Sequence, residues 1–285
     1  MGKMKPSDKC HLIVAGAQKA GTTWLHNTLE YQSEYWCPKE SQEVHFFDRY
    51  YDRGYRKYEN KYEKAKSCEI TFDVTPAYLC NPLVSKRIKK YEKICKRPIK
   101  IIVLLRDPVE RAVSAYKMKI KKGGYNLKLS EALNIDTTLL EKSRYAKAIK
   151  KYKRYFGRRL KIFITEEVFD DSCTALRNIQ QFTGAEESII NIYEGVRINS
   201  SSRGGARPII RMGGKVLRYL GAEKIVHEVK KTEWAQFLRQ EIPHEFEPVV
   251  DAEGVELLKE ELADEARMVA KMIDQPDVES LWNLD

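Results

Sequence analysis

An apolar run that breaks into a glycine-bracketed turn and reopens as a helix constrains the fold of this chain more than any other segment. It reads His11-Leu-Ile-Val-Ala-Gly-Ala-Gln-Lys-Ala-Gly-Thr-Thr-Trp24. Short apolar runs beside glycine are the mark of buried strands, and Trp24, Leu25 and Leu29 then recur at helical spacing. Strand, tight turn and helix in that order aim backbone N–H groups and the positive end of the helix at one point, which suits a phosphate. Gly16 and Gly21 let the backbone close on the anion, and Lys19 adds a mobile charge. Ala20, Thr22, Thr23 and Trp24 complete the candidate binding loop.

The spacing is similar to the nucleotide loop G-x-x-x-x-G-K-[ST], but here the lysine stands two residues before the second glycine. That displacement argues against an ordinary ATPase. A second segment gives it meaning: Ile99-Lys-Ile-Ile-Val-Leu-Leu-Arg-Asp-Pro-Val-Glu-Arg-Ala-Val-Ser-Ala-Tyr116. An apolar strand ends at Arg106, and Asp107-Pro108 starts a helix, with Asp at the cap and Pro at the first helical position. Ser114 lies two turns into that helix, so Arg106 and Ser114 can reach one anionic group near the strand end, where open α/β sheets bind ligands. A metal-binding strand would end in Asp, whereas this one ends in Arg. The pattern favours neutralising phosphate with side-chain cations.

Strands are expected at 11–16, 68–74, 99–105 and 160–165, with a short one near 34–37. Helices are expected at 22–32, 82–95, 107–121, 143–156 and 171–183. Such alternation makes an α/β protein with a parallel sheet. Val255, Leu258, Leu262, Ala266, Val269 and Ile273 mark an amphipathic helix over 253–273 that packs on the sheet or docks a partner. The Ser-, Gly- and Arg-rich stretch 199–214 reads as a loop. In 285 residues there are no repeats, which suggests one domain with a substantial core. The net charge of +10 favours polyanionic partners. Cys10, Cys37, Cys68, Cys80, Cys95 and Cys173 show no paired spacing and read as free thiols. No apolar run has the length of a membrane helix, and the N-terminus lacks a signal-peptide core, so the expectation is a soluble cytoplasmic protein with no membrane partner.

The two anion segments resemble those of sulfotransferases that use 3′-phosphoadenosine 5′-phosphosulfate (PAPS). The first is similar to the family's 5′-phosphosulfate loop, and the second to its 3′-phosphate motif of arginine followed eight residues later by serine. Ser41-Gln-Glu-Val-His-Phe-Phe-Asp48 resembles the E-V-H-F-F-D segment of heparan sulfate glucosaminyl 3-O-sulfotransferases and their bacterial relatives, and Thr75-Pro-Ala-Tyr78 extends the likeness. The resemblance runs from about residue 11 to 184. Beyond it, Ser202-Arg-Gly-Gly-Ala-Arg-Pro208 is similar to the S-K-G-R-x-x-P loop that closes over the nucleotide, with Gly205 where the family has arginine. The R-K-G-x-x-G-D-W-K segment of the phenol and steroid enzymes is absent, which favours the glycan-type branch.

The resemblance implies a three-layer P-loop-like fold, with a central, mostly parallel sheet flanked by helices. It also implies transfer of a sulfuryl group from PAPS to a carbohydrate hydroxyl or amine, leaving adenosine 3′,5′-bisphosphate. It would divide the single domain into a donor-binding core at 11–184, a nucleotide-closing loop at 199–214 and a C-terminal helical part at 215–285. Lys19 and the loop's N–H groups would hold the 5′-phosphosulfate, Arg106 and Ser114 the 3′-phosphate, and Arg203, Gly204 and Arg207 would close over the nucleotide.

The resemblance assigns the role of general base to Glu43, which would leave His45 to orient the acceptor or share its proton. In an extended segment those two share a face, while Val44 and Phe46 turn inward. By unperturbed pKa alone His45 is a rival base. Asp48, Asp73 and Lys117 are expected as further acceptor contacts. Val74 replaces a lysine of the family's catalytic centre, so Lys19 alone or another cation carries that charge.

Blander readings compete. Arg106 could be a structural salt-bridge residue and Glu43 an ordinary loop acid. Tyr145, Ile149, Tyr152 and Phe156 recur at core spacing, although Tyr145 could also touch nucleotide. The run 86–97 reads as a solvated helix face over Ile88, Tyr91 and Ile94. A small-molecule kinase should show a metal-binding acid at a strand end. A nucleic-acid binder would explain the charge but not two anion motifs with a carboxylate between them. With five histidines, no H-E-x-x-H and no paired cysteines, no metal is expected.

Overall fold

The computed structural model describes residues 10–39, 42–65, 70–95, 97–185 and 247–282. Five strands form one sheet: β1 (His11–Gly16), β2 (Tyr35–Trp36), β3 (Ile70–Val74), β4 (Ile99–Leu105) and β5 (Leu160–Ile164). Their spatial order is β2-β3-β1-β4-β5, and every pair is parallel. The apolar runs of β1, β3 and β4 are buried nearly throughout, as strands covered on both faces must be.

In chain order the first helices are α1 (Thr22–Glu30), α2 (Phe46–Arg49), α3 (Tyr55–Glu59), α4 (Val84–Cys95) and α5 (Pro108–Lys121), of which α1, α4 and α5 lie where the sequence pattern puts them. Then come α6 (Leu129–Ile135), α7 (Thr138–Glu141), α8 (Ala146–Phe156), α9 (Thr165–Asp170) and α10 (Ser172–Thr183). Among the described residues two more follow, α11 (Ala252–Ile273) and α12 (Asp277–Leu281). The architecture is the expected parallel sheet flanked by helices. The short helices α2, α3, α6, α7 and α9 were not legible, because one or two turns carry too few periodic positions to register.

The described residues group into two compact units. One holds the residues up to Ala112, those from Thr138 to 185 and those from Leu258 on; the other holds Val113–Thr137 and 247–257. In the first, the sheet and its helices share one apolar core. The amphipathic helix α11 supplies Ala266, Val269 and Ala270 to that core, which decides for packing over partner docking. Glu265 accepts from the Ala146 N–H at the start of α8, and Arg144 pairs with Glu261. Ile149, Tyr152 and Phe156 of α8 are buried as predicted. On α4 the prediction holds for Ile88 and Tyr91 but not for Ile94, which is 56% exposed. In the second unit, the Tyr116 hydroxyl donates to the carbonyls of Leu127 and Val249. Asp251 accepts from both the N–H and the hydroxyl of Ser130.

Strand order locates the ligand edge. The chain leaves β1 toward β2 and β3 on one side, and leaves β4 toward β5 on the other. Adjacent strands whose connections depart in opposite directions open a crevice at their C-terminal ends, the usual ligand position in such sheets. β1 and β4 are those strands, and they end in the Lys19 turn and in Arg106.

Candidate active site

The turn after β1 is tied down by its backbone. Ala17 N–H donates to Leu104 O at 2.6 Å, and the Thr165 hydroxyl donates to Ala20 O at 3.0 Å. Gly16 is required by close approach: a Cβ there would lie 2.8 Å from Leu79 Cβ and 2.9 Å from Pro76 O. Gly21 has φ +80°, and a Cβ would meet the Phe169 ring at 3.2 Å. It is the N-cap of α1 and has no side chain to satisfy the first N–H groups of the helix. No acid lies in the first turn. The result is a helix terminus whose first N–H groups no N-cap side chain takes, with its positive end toward the crevice, which fits a polyanion. Lys19 takes a left-handed conformation (φ 73°) in the turn. Trp24 is half-buried, its ring held edge-on to Phe169 with centroids 5.5 Å apart.

Arg106 reaches the same turn, donating to Lys19 O at 3.4 Å. Its guanidinium also pairs with Glu110 at 2.8 Å, a partner one helical turn away that the sequence reading did not anticipate. Asp107 caps α5 as predicted, accepting from the N–H groups of Val109 (2.7 Å) and Glu110 (3.0 Å). Burial nevertheless pushes its carboxyl up to about 6. Ser114 and Lys117 lie farther along α5, in the part belonging to the second unit. Tyr145 is buried, its hydroxyl donating to Arg106 O at 3.0 Å; it is a core residue and not an open nucleotide contact. Lys142 brings an unforeseen ammonium to the loop, donating to Gln18 Oε1 at 3.0 Å. Arg203, Gly204 and Arg207 lie outside the described residues.

Glu43, His45 and Asp48 converge. His45 Nε2 is 2.8 Å from Glu43 Oε2, and Nδ1 is 2.9 Å from Asp48 Oδ2. The side chains of His45 and Asp48 are largely buried, while that of Glu43 is 43% exposed. The pairing does not come from a shared face of an extended segment, because the backbone kinks at His45. His45 is left-handed (φ 53°, ψ 27°) and N-caps α2. That kink lets the imidazole sit between two carboxylates while Val44, Phe46 and Phe47 enter the core.

Burial disfavours charge on the His45 ring, but the hydrogen bonds its N–H groups donate to Asp48 and Glu43 outweigh it and raise the pKa to about 9. With both ring nitrogens facing carboxylates, the site favours the imidazolium, which weighs against His45 as the base. A prediction follows with a definite sign. A folded-state pKa raised from 6.5 to about 9 gives stability that is complete below pH 6.5 and lost as pH rises through 9. The unfolding free-energy difference between wild type and His45→Gln should shrink across that interval. A difference constant from pH 6 to pH 10 would contradict the charged ring.

Asp73, expected to touch an acceptor, is corrected by its placement. It is 1% exposed and accepts hydrogen bonds from Thr75 (2.6 Å), Tyr58 (3.0 Å) and Tyr78 (3.0 Å). An isolated acid at a strand end looks like a ligand in sequence; only tertiary packing reveals that its oxygens are committed. Val74 is buried and contributes no charge. Thr75 joins this end of β3 to β1, its N–H donating to Val14 O at 3.1 Å. Glu43, His45, the Lys19 turn and Arg106 thus border one edge of the sheet. Among the described residues no group of His, Cys, Asp and Glu could hold a metal ion.

Residues 9–206 match the model of the sulfotransferase domain. The chain belongs to the sulfotransferase family. This sulfotransferase is 29% identical over 212 residues to human heparan sulfate glucosamine 3-O-sulfotransferase 3B1, covering 69% of this chain and 53% of the relative. It is 32% identical over 163 residues to the human 3-O-sulfotransferase 5, covering 54% and 45% respectively. It thus spans about half the length of these curated relatives. The crystal structure of a sulfotransferase from Alicyclobacillus acidocaldarius superposes with a TM-score of 0.57 at 20% identity, over 79% of this chain and 97% of that one, which shows the shared fold.

Proposed function

We propose that this protein transfers the sulfuryl group of PAPS to a carbohydrate hydroxyl, with Glu43 as the general base. The observation that carries the reading is the Glu43–His45–Asp48 cluster at the same sheet edge as an uncapped helix terminus flanked by Lys19 and Arg106. A polyanionic donor fits that terminus. Lys19 and the N–H groups of Gly21, Thr22 and Thr23 would hold its 5′-phosphosulfate. Arg106 would hold the 3′-phosphate, and the role of Ser114 there rests on its spacing alone. PAPS supplies an activated sulfuryl group with a phosphate as leaving group.

The protein's own part is positioning and charge stabilisation. Lys19, with Lys142 alongside, places positive charge where the leaving phosphate gains negative charge. Glu43 is open enough to meet an acceptor hydroxyl and takes its proton. His45 stays protonated and steadies the carboxylate, held in turn by Asp48. The carbohydrate acceptor is supported by the segment 42–48, by the net positive charge and by the acceptor named for the relatives. The five described cysteines are free thiols, which supports a reducing, cytoplasmic setting, and no described helix is long and apolar enough to cross a membrane.

A binding experiment tests the donor half. Adenosine 3′,5′-bisphosphate should stabilise the protein in the presence of EDTA, by about 2.7 kcal/mol at a hundredfold excess over its Kd. Stabilisation by Mg-ATP alone would favour a kinase.

A further inference from the structure

The residues that hold the base in place are buried beneath it. The Thr75 hydroxyl, which donates to Asp73 Oδ1, accepts the N–H groups of Val44 (3.2 Å) and His45 (3.3 Å). The Tyr78 hydroxyl, which donates to Asp73 Oδ2, accepts the N–H of Phe47 at 3.3 Å. Thr75 and Tyr78 are fully buried, and no side chain caps α2. Two hydroxyls therefore take three N–H groups of the turn that carries Glu43, His45 and Asp48.

Their direction is set by Asp73. An ionised carboxylate only accepts, so each hydroxyl must point its hydrogen at Asp73 and turn its lone pairs to the backbone. The third donor behaves alike. Tyr58 donates to Asp73, so it must accept from His11 Nε2 at 2.7 Å, which leaves His11 Nδ1 to accept from Thr71 at 2.7 Å. Burial holds His11 well below its ordinary pKa, consistent with one neutral tautomer. Arg97 completes the run by donating to Thr71 at 3.3 Å. Every donor in the network points toward Asp73, and two of its three hydroxyl donors also hold the turn. Satisfied buried networks of this kind fix one geometry.

We infer that Asp73 is a positioning residue for the Glu43–His45–Asp48 cluster: its carboxylate fixes the polarity of Thr75 and Tyr78 and so locks the left-handed turn at His45. The consequence for turnover rests on the sulfotransferase reading; the consequence for the turn does not. The informative substitution is Asp73→Asn, nearly identical in shape but with two donors that reverse one of the hydroxyls.

The test follows His45 by NMR titration in the product-free protein. In Asp73→Asn and in Thr75→Val the His45 pKa should fall from about 9 toward 6.5, while Thr75→Ser, which restores the hydroxyl, should keep it near wild type. Adenosine 3′,5′-bisphosphate affinity should stay within about twofold, and turnover should drop by roughly ten- to a hundredfold, the scale of misplacing a catalytic group. In wild type the amides of Val44, His45 and Phe47 should exchange at least about a hundredfold more slowly than open-loop amides, a measurement that needs no variant to fold. Loop-like exchange at these amides would overturn the inference. So would a His45 titration unchanged in folded Asp73→Asn or Thr75→Val. If His45 shifts as stated but no sulfuryl acceptor is found, the positioning role stands and the proposed function fails.

Discussion

Glu43→Gln should lower turnover by about a hundredfold or more, the usual scale for losing a general base, while leaving adenosine 3′,5′-bisphosphate affinity near wild type. The amide keeps the volume of the side chain and an oxygen 2.8 Å from the imidazole, so His45 retains a partner and the turn its shape. What is lost is the ability to take a proton. His45 is not freed to substitute, because Asp48 still faces Nδ1 and the amide oxygen faces Nε2, so both ring nitrogens keep an acceptor. His45→Ala should cost less and act chiefly on the acceptor KM, as expected for an orienting group. If Glu43→Gln turns over like wild type while His45→Ala is dead, the base is histidine, the ring must be neutral in the complex, and the acceptor class shifts toward phenols and alcohols.

The second large effect is on the donor. Lys19→Ala and Arg106→Ala should each weaken adenosine 3′,5′-bisphosphate binding by roughly ten- to a hundredfold, the equivalent of losing one or two charge-assisted hydrogen bonds. Arg106 now pairs with Glu110, but the two side chains are 30% and 59% exposed, and ion pairs in that setting contribute little. A phosphate can therefore displace Glu110 at small cost. The same reasoning separates the two variants: removing the 3′-phosphate from the ligand should erase most of the Arg106→Ala effect and leave the Lys19→Ala effect intact. Isothermal titration with adenosine 3′,5′-bisphosphate and with adenosine 5′-monophosphate checks both statements, and equal losses with the two ligands would contradict the assignment.

These residues could be read early because local chemistry announces them. Gly16 and Gly21 bracket a lysine after an apolar run, and Arg106 ends another; strand ends and helix starts are set by nearby residues. β1 and β4 came out at their predicted limits for that reason. What escaped depends on residues distant in sequence. The αL turn at His45 is held by hydroxyls from beyond β3, about thirty positions on. Asp73 looks like a ligand until Tyr58, Thr75 and Tyr78 are folded onto it. Ile94 satisfied the helical period yet faces solvent, because periodicity gives a stripe and not its width. Lys142 reaches Gln18 from the end of α7, with no motif around it.

Transfer itself is the most direct test of the central claim. The protein, treated with EDTA, is incubated with PAPS carrying radiolabelled sulfate and a panel of glucosamine-containing glycans, phenols, lipid alcohols and peptides. Label should appear on a glycan hydroxyl, with one adenosine 3′,5′-bisphosphate released per sulfate transferred. Label confined to phenols or alcohols, or activity that appears only when a divalent cation is restored, would contradict it.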